Sequence, residues 1–142
     1  MDIRPIAEGY AVTPQIEPED VPAIAAQGFT TVICNRPDPE VPHELSAGVI
    51  RAAVEAAGLR FVENPMAGGG LTMAHIEAQR AALAGAEGPV LAYCASGNRS
   101  TILWALANAG RKPTDELVAA GAKYGYQVPQ FRDLIDRLAG QG

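Results

Sequence analysis

The sequence predicts an α/β domain with a mostly parallel sheet flanked by helices. Three observations lead there. First, Phe29–Cys34, Leu59–Asn64 and Pro89–Tyr93 are short apolar runs of the kind that form buried strands. Second, helical segments alternate with them and then follow, giving the order ββ-αβ-αβ-αβ-ααα. Third, Asn35–Glu40, Pro65–Gly70 and Cys94–Arg99 all follow strands. In a parallel sheet such loops converge beyond the carboxyl ends of the strands, where α/β proteins place their sites.

The remaining elements follow in order. Ile3–Pro5 and Tyr10–Thr13 read as short strands or extended edge segments limited by Pro5 and Pro14. Glu17–Asp20 places acids at the start of a short helix that runs to Gln27, with Gly28 after it. A helix over His43–Ala57 would put Leu45, Val49, Ala53 and Ala57 on one face. Thr72 caps a helix reaching Ala84, with Met73, Ile76 and Leu83 inward. Ser100–Ala109 is the helix after the cysteine loop, and Thr114 caps the next. The last begins near Pro129, its face set by Phe131, Leu134, Ile135 and Leu138.

At 142 residues the chain reads as one domain over 1–142, with 48% hydrophobic and 19% charged residues. A net charge of −5 argues against nucleic-acid or anionic-membrane partners, though one arginine with converging amides can still hold a small anion. Two cysteines, Cys34 and Cys94, imply no disulfide framework. With no basic-then-apolar N-terminal pattern and no run near the roughly 20 apolar residues that span a bilayer, the expected location is cytoplasmic. His43 and His75 have no partner at metal-ligand spacing, so no metal is expected.

Alone, Cys94 reads as a small apolar residue closing a strand. In the stretch V-L-A-Y-C-A-S-G-N-R-S-T it reads as a nucleophile. A strand-to-helix turn directs the helix's free amides into the loop, a field that favours a thiolate, and Gly97 permits close backbone approach. Ala95, Ser96, Gly97 and Asn98 would supply the cradle. Arg99 would hold two oxygens of an oxyanion, and Ser100 would donate to the thiolate or cap the helix.

The segment Y-C-A-S-G-N-R-S resembles the Y-C-x-S-G-x-R-S loop of the phosphatase-like domain of beta-lactamase-hydrolase-like proteins, whose members are also described as sulfurtransferases. Asn35–Glu40, N-R-P-D-P-E, is similar to that family's N-R-P-D-G-E, departing at Pro39, and the opening through I-E-P-E-D-V-P-A-I-A-A-Q-G-F-T-T-V-I resembles the same domain. The resemblance implies a dual-specificity-phosphatase-like fold. It also brings Arg36 and Asp38 to the pocket, Arg36 as added positive charge and Asp38 as a group orienting Arg36 or Arg99.

Phosphorus and sulfur are the two targets for such a thiol. Four residues separate Cys94 from Arg99, the length common in rhodanese-type sulfurtransferases, where cysteine-dependent phosphatases have five. Expelling an alkoxide requires a positioned acid, and Pro65–Gly70 contains none; Asp38 and Glu40 are the substitutes on a neighbouring loop. Sulfane-sulfur transfer releases sulfite or a thiolate, both stable anions. The sequence therefore ranks sulfur transfer first: a small sulfur-containing anion or thiol persulfide as donor, a Cys94 persulfide, a thiol acceptor and no cofactor. Family members fused to a metallo-beta-lactamase-like domain suggest a persulfide-oxidising enzyme as partner. A cysteine-dependent phosphatase is the alternative, and a non-catalytic anion-binding module the third reading.

Cys34, Tyr93 and Trp104 read as core, with Cys34 also a possible resolving thiol. Met66 is placed at a pocket wall.

Overall fold

The computed structural model describes residues 1–140; Gln141 and Gly142 lie outside the described residues. Five strands, β1 (Arg4–Ala7), β2 (Tyr10–Thr13), β3 (Thr31–Cys34), β4 (Arg60–Glu63) and β5 (Val90–Tyr93), form one sheet in the order β1-β2-β5-β3-β4. β1 runs antiparallel to β2, and every other neighbouring pair is parallel. Among the described residues six α-helices accompany them: α1 (Val21–Ala26), α2 (Ala47–Ala56), α3 (Met73–Ala84), α4 (Asn98–Ala107), α5 (Thr114–Ala122) and α6 (Arg132–Gly140). The order of elements is the one the sequence predicts.

Alternation along the strands divides the core in two. Ala11, Val32, Cys34, Phe61, Leu91 and Tyr93 pack with α1 and α2. Tyr10, Val12, Ile33, Val90 and Ala92 pack with the layer of α3 to α6. Within that layer Ser100 to Ala107 of α4 are all buried, so this helix is enclosed on every side rather than amphipathic. Leu103 and Leu106, each fully buried, contribute about 1.5–3 kcal/mol apiece relative to exposure. Trp104 is core as expected, its ring stacked 6.0 Å from that of Tyr10.

Register explains how the loops meet. Cys34 of β3 lies opposite both Glu63 of β4 and Tyr93 of β5, so the three strands end level. The ladder extends one residue further, with Asn35 N–H donating to Tyr93 O and Asn64 N–H to Cys34 O, each at 2.8 Å. The following loops therefore start from one line. No helix among the described residues is long and apolar enough to cross a membrane.

Several local expectations are corrected. The helix expected over His43–Ala57 is a 3₁₀ turn, His43–Leu45, followed by α2. Ser46 breaks it with an extended ψ of 156° and caps α2 by accepting from Val49 N–H. The buried face of α2 is consequently Ala47, Ile50 and Val54, not the face containing Leu45 and Val49. Met73, expected inward, is 45% exposed at the first position of α3. Thr72 does cap α3, reciprocated by the His75 ring. Thr114 is inside α5 and donates to Asp136 Oδ1 at 2.6 Å, so it tethers α6 instead of capping its own helix.

Candidate active site

Cys94 follows β5, buried at the base of the turn into α4. Its sulfur accepts the Gly97 amide at 3.1 Å. Gly97 is the N-cap of α4 with φ +95°, a conformation disfavoured for any residue with a Cβ. A Cβ there would also collide with the Tyr126 hydroxyl and lie 3.0 Å from Val12 Cγ2. The turn is therefore held by backbone conformation and by close packing together. Thr101 donates from N–H and hydroxyl to Gly97 O, at 3.0 and 2.8 Å.

The other cradle residues divide by exposure. Ala95 and Ser96 are exposed and Asn98 half-buried. Ser96 Oγ accepts from Asn98 N–H at 3.2 Å, and Asn98 Oδ1 accepts from Gln127 N–H at 2.9 Å. At the second position of α4, the Arg99 amide has no intrahelical acceptor and contributes to the positive end of the helix.

The neighbouring loops engage the Arg99 guanidinium through three hydrogen bonds. It donates to both Glu40 carboxylate oxygens, at 2.7 and 2.8 Å, and to Met66 O at 2.7 Å. The Glu40 hydrogen bond favours its charged form, burial opposes it, and Cys94 lies near enough to add to the charged form's stability. Reciprocally, the Arg99 hydrogen bonds hold the Glu40 carboxyl below its ordinary range. Met66 is buried, and its contribution at this edge is its carbonyl.

The orienting role expected of Asp38 falls to Glu40. Asp38 orients neither arginine: its Oδ1 accepts from Ala47 N–H at 2.8 Å and caps α2. Glu40 pairs with Arg99 and also with Arg36, whose Nε lies 3.2 Å from Oε1. Arg36 therefore brings its charge to the edge of the site already paired, with a second contact to Gln15 at 3.3 Å. Ser100 is likewise displaced from its expected partner. Its buried hydroxyl donates to Asn35 Oδ1 at 2.9 Å, not to the sulfur, and Gly97 rather than Ser100 occupies the N-cap.

That bond leads into a buried polar network absent from the sequence reading. Asn35 Nδ2 donates to Asn64 O and to Gln79 Oε1, at 2.9 and 3.0 Å, and Asn64 Nδ2 donates to the same Gln79 oxygen at 2.8 Å. Gln79 Nε2 donates to the Tyr10 hydroxyl, which donates to Ser100 O at 2.8 Å. Five buried side chains, Tyr10, Asn35, Asn64, Gln79 and Ser100, thereby tie the ends of β3 and β4 to the first turn of α4, each hydrogen-bonded to another. The available signal was Gln79 itself, three residues after Ile76 on the inward face of α3.

Cys34 lies apart from this machinery. It shares the α1–α2 face with Tyr93, whereas Cys94, the next residue, points away by strand alternation. Its thiol donates to Arg36 O at 3.3 Å, and burial pushes its ionisation up. Among the described residues, no group of three His, Cys, Asp or Glu side chains is placed to hold a metal.

A thiol accepting an amide at a helix N-terminus, with an arginine in the first turn of that helix, on a dual-specificity-phosphatase-like α/β sheet, defines a cysteine-loop domain of the phosphatase-like class. The chain belongs to the family of the phosphatase-like domain of beta-lactamase hydrolase-like proteins, whose model matches residues 2–111. It is 34% identical over 141 residues to a beta-lactamase hydrolase-like protein of Xylella fastidiosa, covering 98% of this chain and 33% of that protein. The chain thus spans about a third of the length of such curated relatives. Among solved structures, a candidate phosphatase from Neisseria meningitidis is 32% identical with a TM-score of 0.81, the match covering 97% of this chain and 99% of that one. The core catalytic domain of a PP-IP phosphatase from S. cerevisiae shares the fold at 14% identity, TM-score 0.69, covering 98% of this chain and 91% of that one.

Proposed function

We propose that this domain is a cysteine-dependent phosphatase in which Cys94 attacks phosphorus. The observation that carries thiol catalysis is the Gly97 amide donated to Cys94 Sγ, since an N–H donor stabilises a thiolate over a thiol. The fold and family company ranks phosphorus ahead of sulfur, reversing the order taken from loop length. In the reaction the sulfur–phosphorus bond forms as the bond to the leaving oxygen breaks, and the leaving group departs with the electron pair. Water then attacks phosphorus, releasing phosphate and restoring the thiolate, and one water proton ends on the departed oxygen. Arg99 would turn its fork from Glu40 to two phosphoryl oxygens.

The carboxyls present shape the substrate class. Asp38 is occupied by a backbone amide and Glu40 is held ionised, so neither is poised to protonate a leaving alkoxide. The preferred substrates are therefore phosphates whose leaving groups are stable as anions: aryl esters and phosphoanhydrides. The same observation, with the four-residue spacing from Cys94 to Arg99, favours one second reading. In it Cys94 takes sulfane sulfur from thiosulfate or a persulfide, sulfite or thiolate leaves with the electron pair, and a thiol collects the sulfur. A persulfide-oxidising enzyme would be the natural partner of that activity.

The two readings part in one experiment. The protein and a Cys94→Ser control are given aryl phosphates of graded leaving-group acidity and, separately, thiosulfate followed by intact mass. Hydrolysis that requires Cys94 and rises steeply with leaving-group acidity supports the phosphatase. A gain of one sulfur at Cys94, without such hydrolysis, transfers the assignment to sulfur transfer.

A further inference from the structure

We propose that Tyr126 and Arg4 are positioning residues for Cys94, acting through the peptide that joins Ser96 to Gly97. The inference rests on Cys94 being the reactive thiol. One planar peptide carries both the Ser96 carbonyl and the Gly97 N–H, which point in opposite directions in its trans form. The Gly97 end donates to Cys94 Sγ at 3.1 Å. The Ser96 end accepts from the Tyr126 hydroxyl at 2.8 Å. That hydroxyl in turn accepts from Arg4 Nη1 at 2.9 Å. A continuous chain of donors thus runs from a permanent cation on β1, through a phenol and one peptide, to the sulfur.

The chain has two effects. It fixes the rotation of the Ser96–Gly97 peptide, because turning the amide away from the sulfur would break the Tyr126 bond. It also polarises that peptide, since each hydrogen bond in such a series strengthens the next. The geometry has further support from the same segment: Gln127 N–H holds Asn98 Oδ1, so two successive residues grip the loop. Gly97 packs directly beneath the Tyr126 hydroxyl, where no Cβ would fit. Tyr126 comes from the turn after α5 and lies beyond residues 2–111, the span of the family match. The charged and titratable groups facing Cys94 are Arg99, itself paired with Glu40, together with Tyr10 and Tyr126; Arg4 is paired in addition with Asp2.

The test is a pH titration of ultraviolet thiolate absorbance in the full chain, each protein being referenced to its own Cys94→Ser counterpart. Tyr126→Phe keeps the ring and removes the hydroxyl, and circular dichroism checks the fold. Its thiolate midpoint should rise by about 0.5 pH unit or more, the scale of a weakened hydrogen bond to a charged group. Arg4→Met should raise it less, and should add nothing on top of Tyr126→Phe. An unmoved midpoint in Tyr126→Phe overturns the proposal. So does an Arg4→Met shift that is undiminished when the hydroxyl is gone, which would mean that the charge acts directly through space. If the unaltered protein shows no Cys94-dependent thiolate at all, the reading of Cys94 fails and this proposal with it; a normal thiolate with no Tyr126 dependence sinks only the relay.

Discussion

Two neighbouring strands, β3 and β5, each lead to a cysteine at the same edge of the sheet, and the two sulfurs are in opposite chemical situations. Cys34 is the last residue of β3, faces α1 and α2, and donates its proton to Arg36 O. Cys94 is the first residue past β5 and accepts a proton donor, the Gly97 amide. Burial is the main cause that raises the Cys34 ionisation and keeps its sulfur a thiol, with the Arg36 backbone contact opposing it. An accepting sulfur is solvated as a thiolate would need to be. What differs is a single step along the strand, which reverses the face, and the chain that follows. After Cys34 comes a loop with two prolines; after Cys94 comes a glycine that starts a helix.

The largest effect should come from exchanging the two cysteines for serine in turn. Cys94→Ser should bring turnover to the level of the buffer blank, whereas Cys34→Ser should retain activity within about twofold and lose about 1 kcal/mol of stability in a buried site. Mass spectrometry after brief iodoacetamide treatment at neutral pH should find any label on Cys94 in the folded protein, with Cys34 reacting only on unfolding. Labelling of Cys34 first would break the comparison.

A smaller effect tests the chain after Cys94. Gly97→Ala should lower stability by about 1–3 kcal/mol, because φ is +95° and the added carbon meets Tyr126 and Val12. Urea denaturation reads the loss. Stability equal to that of the unaltered protein would mean the turn relaxes freely, and a rigid cradle would have to be abandoned.

The smallest concerns Glu40, which ties the loop after β3 to Arg99. Its pair is partly exposed, so Glu40→Gln should cost less than about 1 kcal/mol at neutral pH. The sign of the pH dependence follows from linkage. The folded protein lowers the Glu40 ionisation from its ordinary 4.5, so the contribution is fully present above that value and disappears as pH falls through the lowered one. Melting temperature against pH should therefore show a shallower acid limb in Glu40→Gln. An unchanged limb would mean the pair adds nothing.

Much of the architecture was legible because it is written in local chemistry. β-Branched runs, proline breaks and closing glycines mark the elements in order, and a parallel sheet sends Asn35, Pro65 and Cys94 to one edge. Errors arose where a single side chain had two local options. Ser46 could sit within a helix or start one, and starting it shifted the buried face of α2 by one position. Asp38 and Glu40 are both acids on one loop, and spacing alone does not say which meets Arg99. Gln79 looked like any polar helix residue until Asn35, Asn64 and Tyr10 surrounded it.

By itself the sequence determined the α/β order and the Cys94–Arg99 loop at a strand–helix junction, because strands, turns and helix starts depend on residues close together in the chain. Tertiary structure alone decided the partners. Glu40 lies 59 residues from Arg99, Asn35 lies 65 from Ser100, and Arg4 lies 122 from Tyr126. Hydrogen bonds act over about 3 Å of space, and only the folded sheet brings such distant residues within that reach.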